Sequence, residues 1–503
     1  MKKKILLMVS LLGLFLSVQI AYAKSILADD KIDVVTTFYP VYEFTKGVLG
    51  DEANVSMLIK AGTEPHDFEP STKNIASISD ADAFVYMDDN METWVNDLNK
   101  SIDTKKISMV KATGDMLLMA GGEEDEDHDH EDHHHDYDPH VWLSPYRAIK
   151  VVENIRDQFL AQFPDKKEAI TKNAAAYIEK LQELDTEYQQ ALSSAKQKSF
   201  VTQHAAFSYL ALDYGLNQIS ITGVSAESEP SAKRLASLTK YIKKYDIKYI
   251  YFEENASSKV AKTLADESGV KTSVLNPLES LTNKQIKAGE NYFSVMRANL
   301  KALQLTTSKA GKTIKAETDT TKTVQNGYFD DKDVTNRKLS DWTGKWQSVY
   351  PYLLDGTLDE VWDYKSKKSQ GAMSAVEYKD YYTKGYQTDV EKITINGKKN
   401  TITFIQNGKK QTFTYKYVGY EILTYEKGNR GVRYLFETSD KNAGVFKYVQ
   451  FSDHSISKTD AEHFHMFWGG DSQEKLLEEM ENWPTYYPTS LTGHEVAQEI
   501  VAH

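Results

Sequence analysis

The chain has 503 residues, too many for one hydrophobic core, so two or three domains are expected. Its 60 Lys plus Arg against 73 Asp plus Glu leave a net charge of −13, and no basic stripe stands ready to release counterions from a phosphate backbone, which argues against a nucleic-acid partner. Cysteine is absent, so disulfides, thiolate ligands, cysteine nucleophiles and lipid attachment through an N-terminal cysteine are not expected, and any zinc site must be built from His, Asp and Glu.

Lys2-Lys3-Lys4, the apolar run Ile5 to Ile20 and the small-x-small triplet Ala21-Tyr22-Ala23 predict a secretory signal peptide over 1–23. The run is shorter than the roughly 20 residues of a bilayer span, which disfavours an uncleaved anchor. No later stretch approaches that length, so the mature chain is expected to be soluble and extracytoplasmic. From Lys31 to about Val110, short apolar runs alternate with helix-like segments. Ile32 to Thr36, Val55 to Ile59, Ala83 to Met87 and Ile107 to Val110 are the strand candidates, and Val41 to Leu49, Thr72 to Ile78 and Met91 to Leu98 the helix candidates. Such alternation predicts a parallel α/β sheet, an N lobe over about 31–145.

Gly121 to Asp138 then carries ten carboxylates, five histidines and no Lys or Arg. Unpaired buried charge is too costly for any packed core to hold that composition, so the segment must be solvated. An acid run alone would be an ordinary solvated loop. Here His128, His130, His133, His134 and His135 are interspersed, and imidazole with carboxylate suits borderline divalent cations such as zinc, so the loop reads as a flexible metal collector.

Asp165 to about Ala195 lacks Gly and Pro, and Ile170, Ala174, Tyr177, Leu181, Leu184, Tyr188 and Leu192 recur every three or four residues. This predicts one amphipathic helix about 45 Å long, enough to span two small lobes. The α/β pattern resumes in a C lobe over about 198–305. Phe200 to Thr202, Gln218 to Ile221, Ile247 to Phe252 and Thr272 to Leu275 read as strands, and Ser231 to Lys244, Ser258 to Glu267 and Lys284 to Leu303 as helices. Thr306 to Thr323 is rich in Thr and Lys and reads as a linker. Beyond it, Ile393 to Ile395, Thr401 to Ile405, Thr412 to Tyr417, Ile422 to Tyr425, Val432 to Glu437 and Phe446 to Phe451 are short β-rich runs, with turn signals at Asn396-Gly397, Asn407-Gly408 and Gly428-Asn429. Residues 324–503 are therefore expected to form a separate, mostly antiparallel β domain, a small barrel or closed sandwich.

Eight histidines lie outside the acidic run. His66 sits in the Pro-bracketed loop Gly62-Thr63-Glu64-Pro65-His66-Asp67-Phe68-Glu69-Pro70. His140 follows Asp138-Pro139 and precedes the apolar Val141-Trp142-Leu143, and His204 ends Phe200-Val201-Thr202-Gln203-His204. Glu279, in Leu275-Asn276-Pro277-Leu278-Glu279, also follows a strand. Four ligand-type residues at strand ends match the rule that open α/β sheets bind ligands off their carboxyl edges. If the two lobes face each other, the four can meet around one metal.

These residues carry a resemblance. Thr36-Thr37-Phe38-Tyr39-Pro40, Glu64-Pro65-His66, Asp138-Pro139-His140-Val141-Trp142, Gln203-His204-Ala205-Ala206-Phe207 and Asn276-Pro277-Leu278-Glu279 resemble the metal-binding lipoproteins of ABC importers. Within that group the likeness is to the AdcA-type zinc-uptake family, a cluster A-I, ZnuA-like solute-binding domain (24–305) fused to a C-terminal ZinT domain (324–503). The resemblance covers essentially the whole mature chain and implies a primary zinc site on His66, His140, His204 and Glu279. Related manganese binders carry a carboxylate at the third position, where this chain has His204. Three imidazoles and one carboxylate favour zinc, since manganese prefers more oxygen ligands. The signal-peptide boundary, Ala21-Tyr22-Ala23-Lys24, departs from the lipidated members in having no cysteine.

His463 and His465 are two apart, so on a strand both project from one face, and His454 can reach that face from the adjacent strand. Gly327-Tyr328-Phe329, Gly344-Lys345-Trp346-Gln347-Ser348-Val349-Tyr350-Pro351 and Asn482-Trp483-Pro484-Thr485-Tyr486-Tyr487-Pro488 resemble the ZinT domain, which implies a calycin-like β-barrel with a second zinc site on His454, His463 and His465. Three neutral ligands leave a fourth position open, as in zinc hydrolases. Against an enzyme, His494-Glu495-Val496-Ala497 is followed by Gln498 rather than completing a His-Glu-x-x-His motif, and reads as the polar face of a terminal helix. Alternation turns Glu462 away from the face that bears the histidines.

The expected protein is thus two parallel-sheet α/β lobes joined by a long backbone helix and followed by a β-barrel domain. It is expected to be an extracytoplasmic monomer, secreted or associated with the cell surface, that delivers Zn2+ to an ABC permease and its ATPase, with one structured zinc site per domain and weak binding in the loop. Because imidazoles bind metal only when neutral, affinity is expected to fall as pH drops through about 6.5. The alternative is a zinc-buffering surface protein or adhesin that feeds no transporter.

Overall fold

The computed structural model describes residues 31–121, 137–221, 232–253, 259–312, 323–425, 428–478 and 481–502. The chain divides into two compact units, Met1–Met116 with Gly121–Thr313, and Leu117–Ala120 with Ile314–His503. The collector-loop histidines and the signal peptide lie outside the described residues.

In the first unit β1 (Ile32–Thr36), α1 (Tyr39–Leu49), β2 (Ala53–Met57), α2 (Thr72–Ser79), β3 (Ala83–Tyr86), α3 (Val95–Ser101) and β4 (Ser108–Lys111) build the N lobe. Its strands are all parallel, in the order β2-β1-β3-β4. Ala83 to Tyr86 are buried at every position, as expected for a strand covered on both faces. After α4 (Pro145–Gln162) and α5 (Lys167–Leu192), the C lobe repeats the scheme. It comprises β5 (Ser199–Thr202), α6 (Ser208–Asp213), β6 (Asn217–Ser220), α7 (Ala232–Tyr245), β7 (Tyr249–Phe252), α8 (Lys259–Ser268), β8 (Lys271–Val274), α9 (Asn283–Ala288) and α10 (Tyr292–Thr307), with the parallel order β6-β5-β7-β8.

Helix α5 is the backbone helix read from the sequence, entered through a 3₁₀ turn at Pro164–Lys166 where Pro164 supplies the fixed φ of a first turn. Its buried stripe, Ile170, Ala174, Tyr177, Leu181, Leu184, Tyr188 and Leu192, packs on α1 and α4 at one end and on α10 at the other. Tyr177 lies flat against Gly47 of α1, where an added Cβ would stand 2.4 Å from the ring, so glycine is required for that approach. At the C-lobe end the Tyr188 hydroxyl donates to the Met296 carbonyl at 2.7 Å.

Three elements differ from expectation. The helix α4 was not foreseen, although Ala148, Val151, Val152, Ile155 and Phe159 form a buried stripe along it. The helix expected from Lys284 to Leu303 is two, because Gly289 adopts φ 75° and caps α9 before Asn291 caps α10. The helix expected from Met91 starts at Val95, since the carboxylate of Glu92 turns back to accept from the Met87 and Asp88 amides and the Thr37 hydroxyl.

The second unit holds β9 (Gly344–Ser348), α11 (Tyr350–Leu354), α12 (Asp359–Lys368), α13 (Ala375–Tyr386), β10 (Val390–Asn396), β11 (Thr401–Gln406), β12 (Lys409–Thr414), β13 (Lys416–Thr424), β14 (Arg430–Glu437), β15 (Tyr448–Ser452), β16 (Phe464–Gly469), α14 (Gln473–Leu477), β17 (Thr485–Pro488) and α15 (Gly493–Ala502). One antiparallel sheet runs β12-β11-β10-β9-β17-β16-β15-β14-β13. It curls into a half-barrel round a single core to which both ends contribute, Phe404 and Phe413 from one and Tyr434 and Phe436 from the other. Asn407-Gly408 makes the β11–β12 turn, with φ 51° and 72°. The run Thr412 to Tyr417 is split between β12 and β13, and β13 continues through a bulge at Val418 to take in Ile422. The helices α11 to α13 and the strands β9 and β17 were not foreseen. Residue Gln498 is buried, contrary to the polar face expected there, and its amide pairs with the Leu118 main chain at 2.7 and 2.6 Å. Among the described residues no helix is long and apolar enough to cross a membrane.

Candidate metal centres

Each lobe of the first unit sends ligand-bearing loops off the carboxyl ends of its strands. His66 lies between β2 and α2, and His140 caps the 3₁₀ turn Val141–Leu143 ahead of α4. His204 stands two residues beyond β5, and Glu279 follows β8. The four converge. Glu279 Oε1 lies 3.6 Å from His66 Nε2 and 3.5 Å from both His140 Nε2 and His204 Nε2, while the His66 and His140 Nε2 atoms are 3.2 Å apart. A tetrahedron with metal–ligand bonds of about 2.1 Å has edges of about 3.4 Å, so the donors already stand at zinc spacing. His140 and His204 are fully buried, and among the described residues neither Glu279 Oε1 nor His204 Nε2 has a hydrogen-bond partner. Orphaned donors of this kind, aimed at one point, are what a divalent cation satisfies.

Carboxylates back the imidazoles. His140 Nδ1 donates to Asp138 Oδ1 at 2.8 Å, and His204 Nδ1 donates to Glu253, a residue 5% exposed at the end of β7. Each bond fixes the tautomer that leaves Nε2 free for metal and makes that nitrogen more basic. Burial alone would lower the His204 imidazole, but the charge and hydrogen bond of Glu253 and the nearby Glu279 carboxylate outweigh it and raise it to about 10. His140 is raised too, against burial, by Asp138 and Glu279. Burial opposes ionisation of Glu279, yet its three imidazole contacts hold the carboxyl well below the usual range. Nearby Glu64, which accepts from the His66 amide at 3.1 Å, is pushed up to about 7 by burial and by the charge of Glu279. The sequence reading missed Asp138 and Glu253 in these roles. It counted Asp138 among the acids of the loop, and nothing local separates Glu253 from Glu254.

The loops are tied to one another. Trp142 Nε1 donates to the Pro277 carbonyl at 2.8 Å, Tyr209 to the Asp138 carbonyl at 2.6 Å, and the Gly62 amide to Ser280 Oγ at 3.2 Å. Leu278, beside Glu279, is a buried non-glycine residue with φ 58°. It is held there by Asn276 Oδ1, which accepts its amide at 2.7 Å, while Asn299 of α10 brackets the Asn276 main chain at 2.9 and 2.7 Å.

The second unit brings together His454, His463 and His465. His465 lies on β16, His463 just before it, and His454 just past the neighbouring β15, whose Ser452 pairs with His465. His454 and His465 present Nε2 atoms 3.3 Å apart, again one tetrahedral edge. The backing here is neutral: His465 Nδ1 donates to Thr485 Oγ1 at 2.8 Å, and the His463 ring stacks on Tyr487 at 5.0 Å. Burial, and then the other two histidines, pull the His465 imidazole well below its ordinary value. Glu462 is exposed.

Comparison with known proteins follows the same division. Residues 34–305 match the family model "Zinc-uptake complex component A periplasmic", and residues 320–503 match "ZinT (YodA) periplasmic lipocalin-like zinc-recruitment". The chain is 67% identical, over all of both chains, to the zinc-binding protein AdcA of Streptococcus pyogenes serotype M6. It is 64% identical, again over all of both, to the zinc-binding lipoprotein AdcA of Streptococcus pneumoniae strain R6. The crystal structure of Zn(II)-bound AdcA from Streptococcus pneumoniae superposes with a TM-score of 0.85 at 63% identity, covering 94% of this chain and 100% of that one.

Proposed function

The chain belongs to the AdcA-type family of zinc-binding proteins, a zinc-uptake component joined to a ZinT domain, and on that premise we propose that it captures Zn2+ outside the cytoplasm and passes it to a membrane ABC permease and its ATPase. The family is one of solute-binding proteins, not enzymes. In this reading His66, His140, His204 and Glu279 hold the ion for transport. His454, His463 and His465 form an auxiliary centre, and the acidic loop gathers zinc for both. The chain works as a monomer.

The observation that carries the reading is Glu279 Oε1 standing at 3.5 to 3.6 Å from three imidazole nitrogens in a buried pocket. A neutral set of three histidines and one anionic oxygen suits zinc better than manganese or calcium, which take more oxygen donors. The open fourth position at the three-histidine centre suits exchange rather than retention.

The test is zinc binding by the full chain and by the His204→Ala chain, together with growth of a deletion strain on scarce zinc. Loss of one tight zinc per chain on substitution, and zinc-limited growth restored by the intact gene but not by the variant, are expected. Unchanged stoichiometry and affinity would remove His204 from the site, and unimpaired growth would favour a surface zinc buffer over a transport component.

A further inference from the structure

His454 adopts φ 63°. A side chain with a Cβ rarely occupies that left-handed region, and such residues persist only where their surroundings over-determine them. Here the surroundings centre on one arginine. Arg337 is buried, with its guanidinium 4.1 Å from the Trp342 ring centroid and 5.2 Å from that of Tyr434. Its Nη1 donates to both oxygens of Asp453, the residue before His454, at 2.6 and 2.7 Å. Its Nη2 donates to the Thr459 carbonyl at 2.7 Å, inside the loop from His454 to His463, and its Nε reaches Asp341 at 3.2 Å. The Asp341 carbonyl in turn accepts the Ala461 amide at 2.8 Å, two residues before His463.

We infer that Arg337 is a positioning residue for the second centre: through Asp453 and the Thr459 carbonyl it holds the loop carrying His454 and His463 in the geometry that faces both imidazoles toward His465. The inference rests on reading those three histidines as a zinc site. Fold stability does not account for the network, because a buried ion cluster of this kind contributes little beyond what well-packed apolar side chains of similar volume would. What it adds is direction. Three of the five guanidinium N–H groups end on the loop or on the residue that opens it, and the planar fork fixes angles that a lysine ammonium leaves free.

The test uses the full chain with His140→Ala and His204→Ala, which silences the first centre. Cobalt(II) is titrated and read by visible absorption, intense for four-coordinate cobalt and weak for six-coordinate cobalt held elsewhere, and zinc affinity follows by competition. Arg337→Lys keeps the charge and loses the fork. Asp453→Asn keeps the shape and loses the charge, which leaves a folded variant if the first does not fold. Each is expected to weaken zinc binding about 10- to 100-fold and to reduce the four-coordinate band. In a chain that also carries His454→Ala, the same substitutions should cause a smaller loss, because the part routed through that imidazole is already gone and only the part routed through His463 remains. Folded variants with the parental affinity and spectrum, or an equal loss when His454 is already gone, would overturn the assignment. A parental chain that gives no four-coordinate cobalt at all would instead overturn the zinc-site reading beneath it.

Discussion

Glu253 stands behind His204 in a buried setting with its carboxyl taking the Nδ1 hydrogen bond, so replacing it by the isosteric Gln leaves the shape and weakens the acceptor. Glu253→Gln is expected to weaken zinc binding at the first centre about 10- to 100-fold, measured by competition with a chelator, with folding intact. The same carboxylates set the pH dependence. With His204 held up at about 10 and His140 also raised, the metal-free site carries protons across the neutral range. The imidazolium–carboxylate pairs therefore stabilise the empty fold fully below the unfolded value of about 6.5, and that contribution is lost as pH rises toward about 10. Zinc affinity moves the opposite way, since each ion must displace protons from the nitrogens it binds. Between pH 6 and 8 affinity at the first centre should rise about tenfold per pH unit for each proton displaced, so the midpoint near pH 6.5 expected from unperturbed histidines is moved upward. The second centre, where His465 is pulled well below its ordinary value by burial, should vary little above that pH. Titrations of chains with only one centre intact would show it, and parallel profiles would refute the contrast. At this scale the ligand-type residues were legible because each stands beside a proline or at a strand end. Asp138 and Glu253 were not, because a carboxylate that orients a ligand is recognised only by what it touches.

Among the secondary-structure elements, the helices after β8 show how a backbone requirement overrides periodicity. Gly289 separates α9 from α10 at φ 75° with nothing within 4 Å of an added Cβ, so Gly289→Ala isolates the conformational cost. That substitution should lower stability by about 1 kcal/mol in denaturant unfolding. Gly47→Ala is the contrasting case, because it drives a methyl into the Tyr177 ring that anchors α5 on α1. It should cost more, about 1–3 kcal/mol, through overpacking rather than backbone strain. Equal losses in the two variants would contradict this division. The parallel strands β1, β3 and β5 were legible as short apolar runs because both of their faces are covered, and α5 because a buried stripe of seven residues repeats along it without interruption. In the second unit β9 and β17 are short and are bracketed by Gly344 and Pro351, and by Pro484 and Pro488, which signal turns. Thr412 to Tyr417 and Ile422 to Tyr425 read as two separate strands with a gap, because the bulge at Val418 breaks the alternation inside β13.

At the level of the whole chain, the charge distribution is as informative as the fold. Of the net −13, the acidic segment contributes −10, so the remainder is close to neutral and exerts little pull of its own on a cation. A concentrated negative field raises local cation density and accelerates association, and it does so over a distance set by the Debye length, about 8 Å at physiological ionic strength. The compact units do not coincide with a single cut in the sequence, since Leu117–Ala120 belongs with Ile314–His503 and the acidic run begins immediately after it, at Gly121. That division was invisible to a reading that assigned continuous stretches, because four apolar residues give no sign of which core they join. A deletion should therefore spare both Leu117–Ala120 and the Asp138–His140 pair, and removal of Glu123 to His135 meets that condition. Deletion is expected to leave zinc affinity at the first centre unchanged while slowing its rate of zinc association about tenfold at low salt. The difference should shrink as ionic strength rises, because screening removes the field from the intact chain as effectively as deletion does. Stopped-flow association measured across a salt series separates the two possibilities for the loop. A salt-independent rate difference would point to a ligand role for particular histidines, and a loss of affinity at the first centre would mean the loop is part of that site rather than a collector that feeds it.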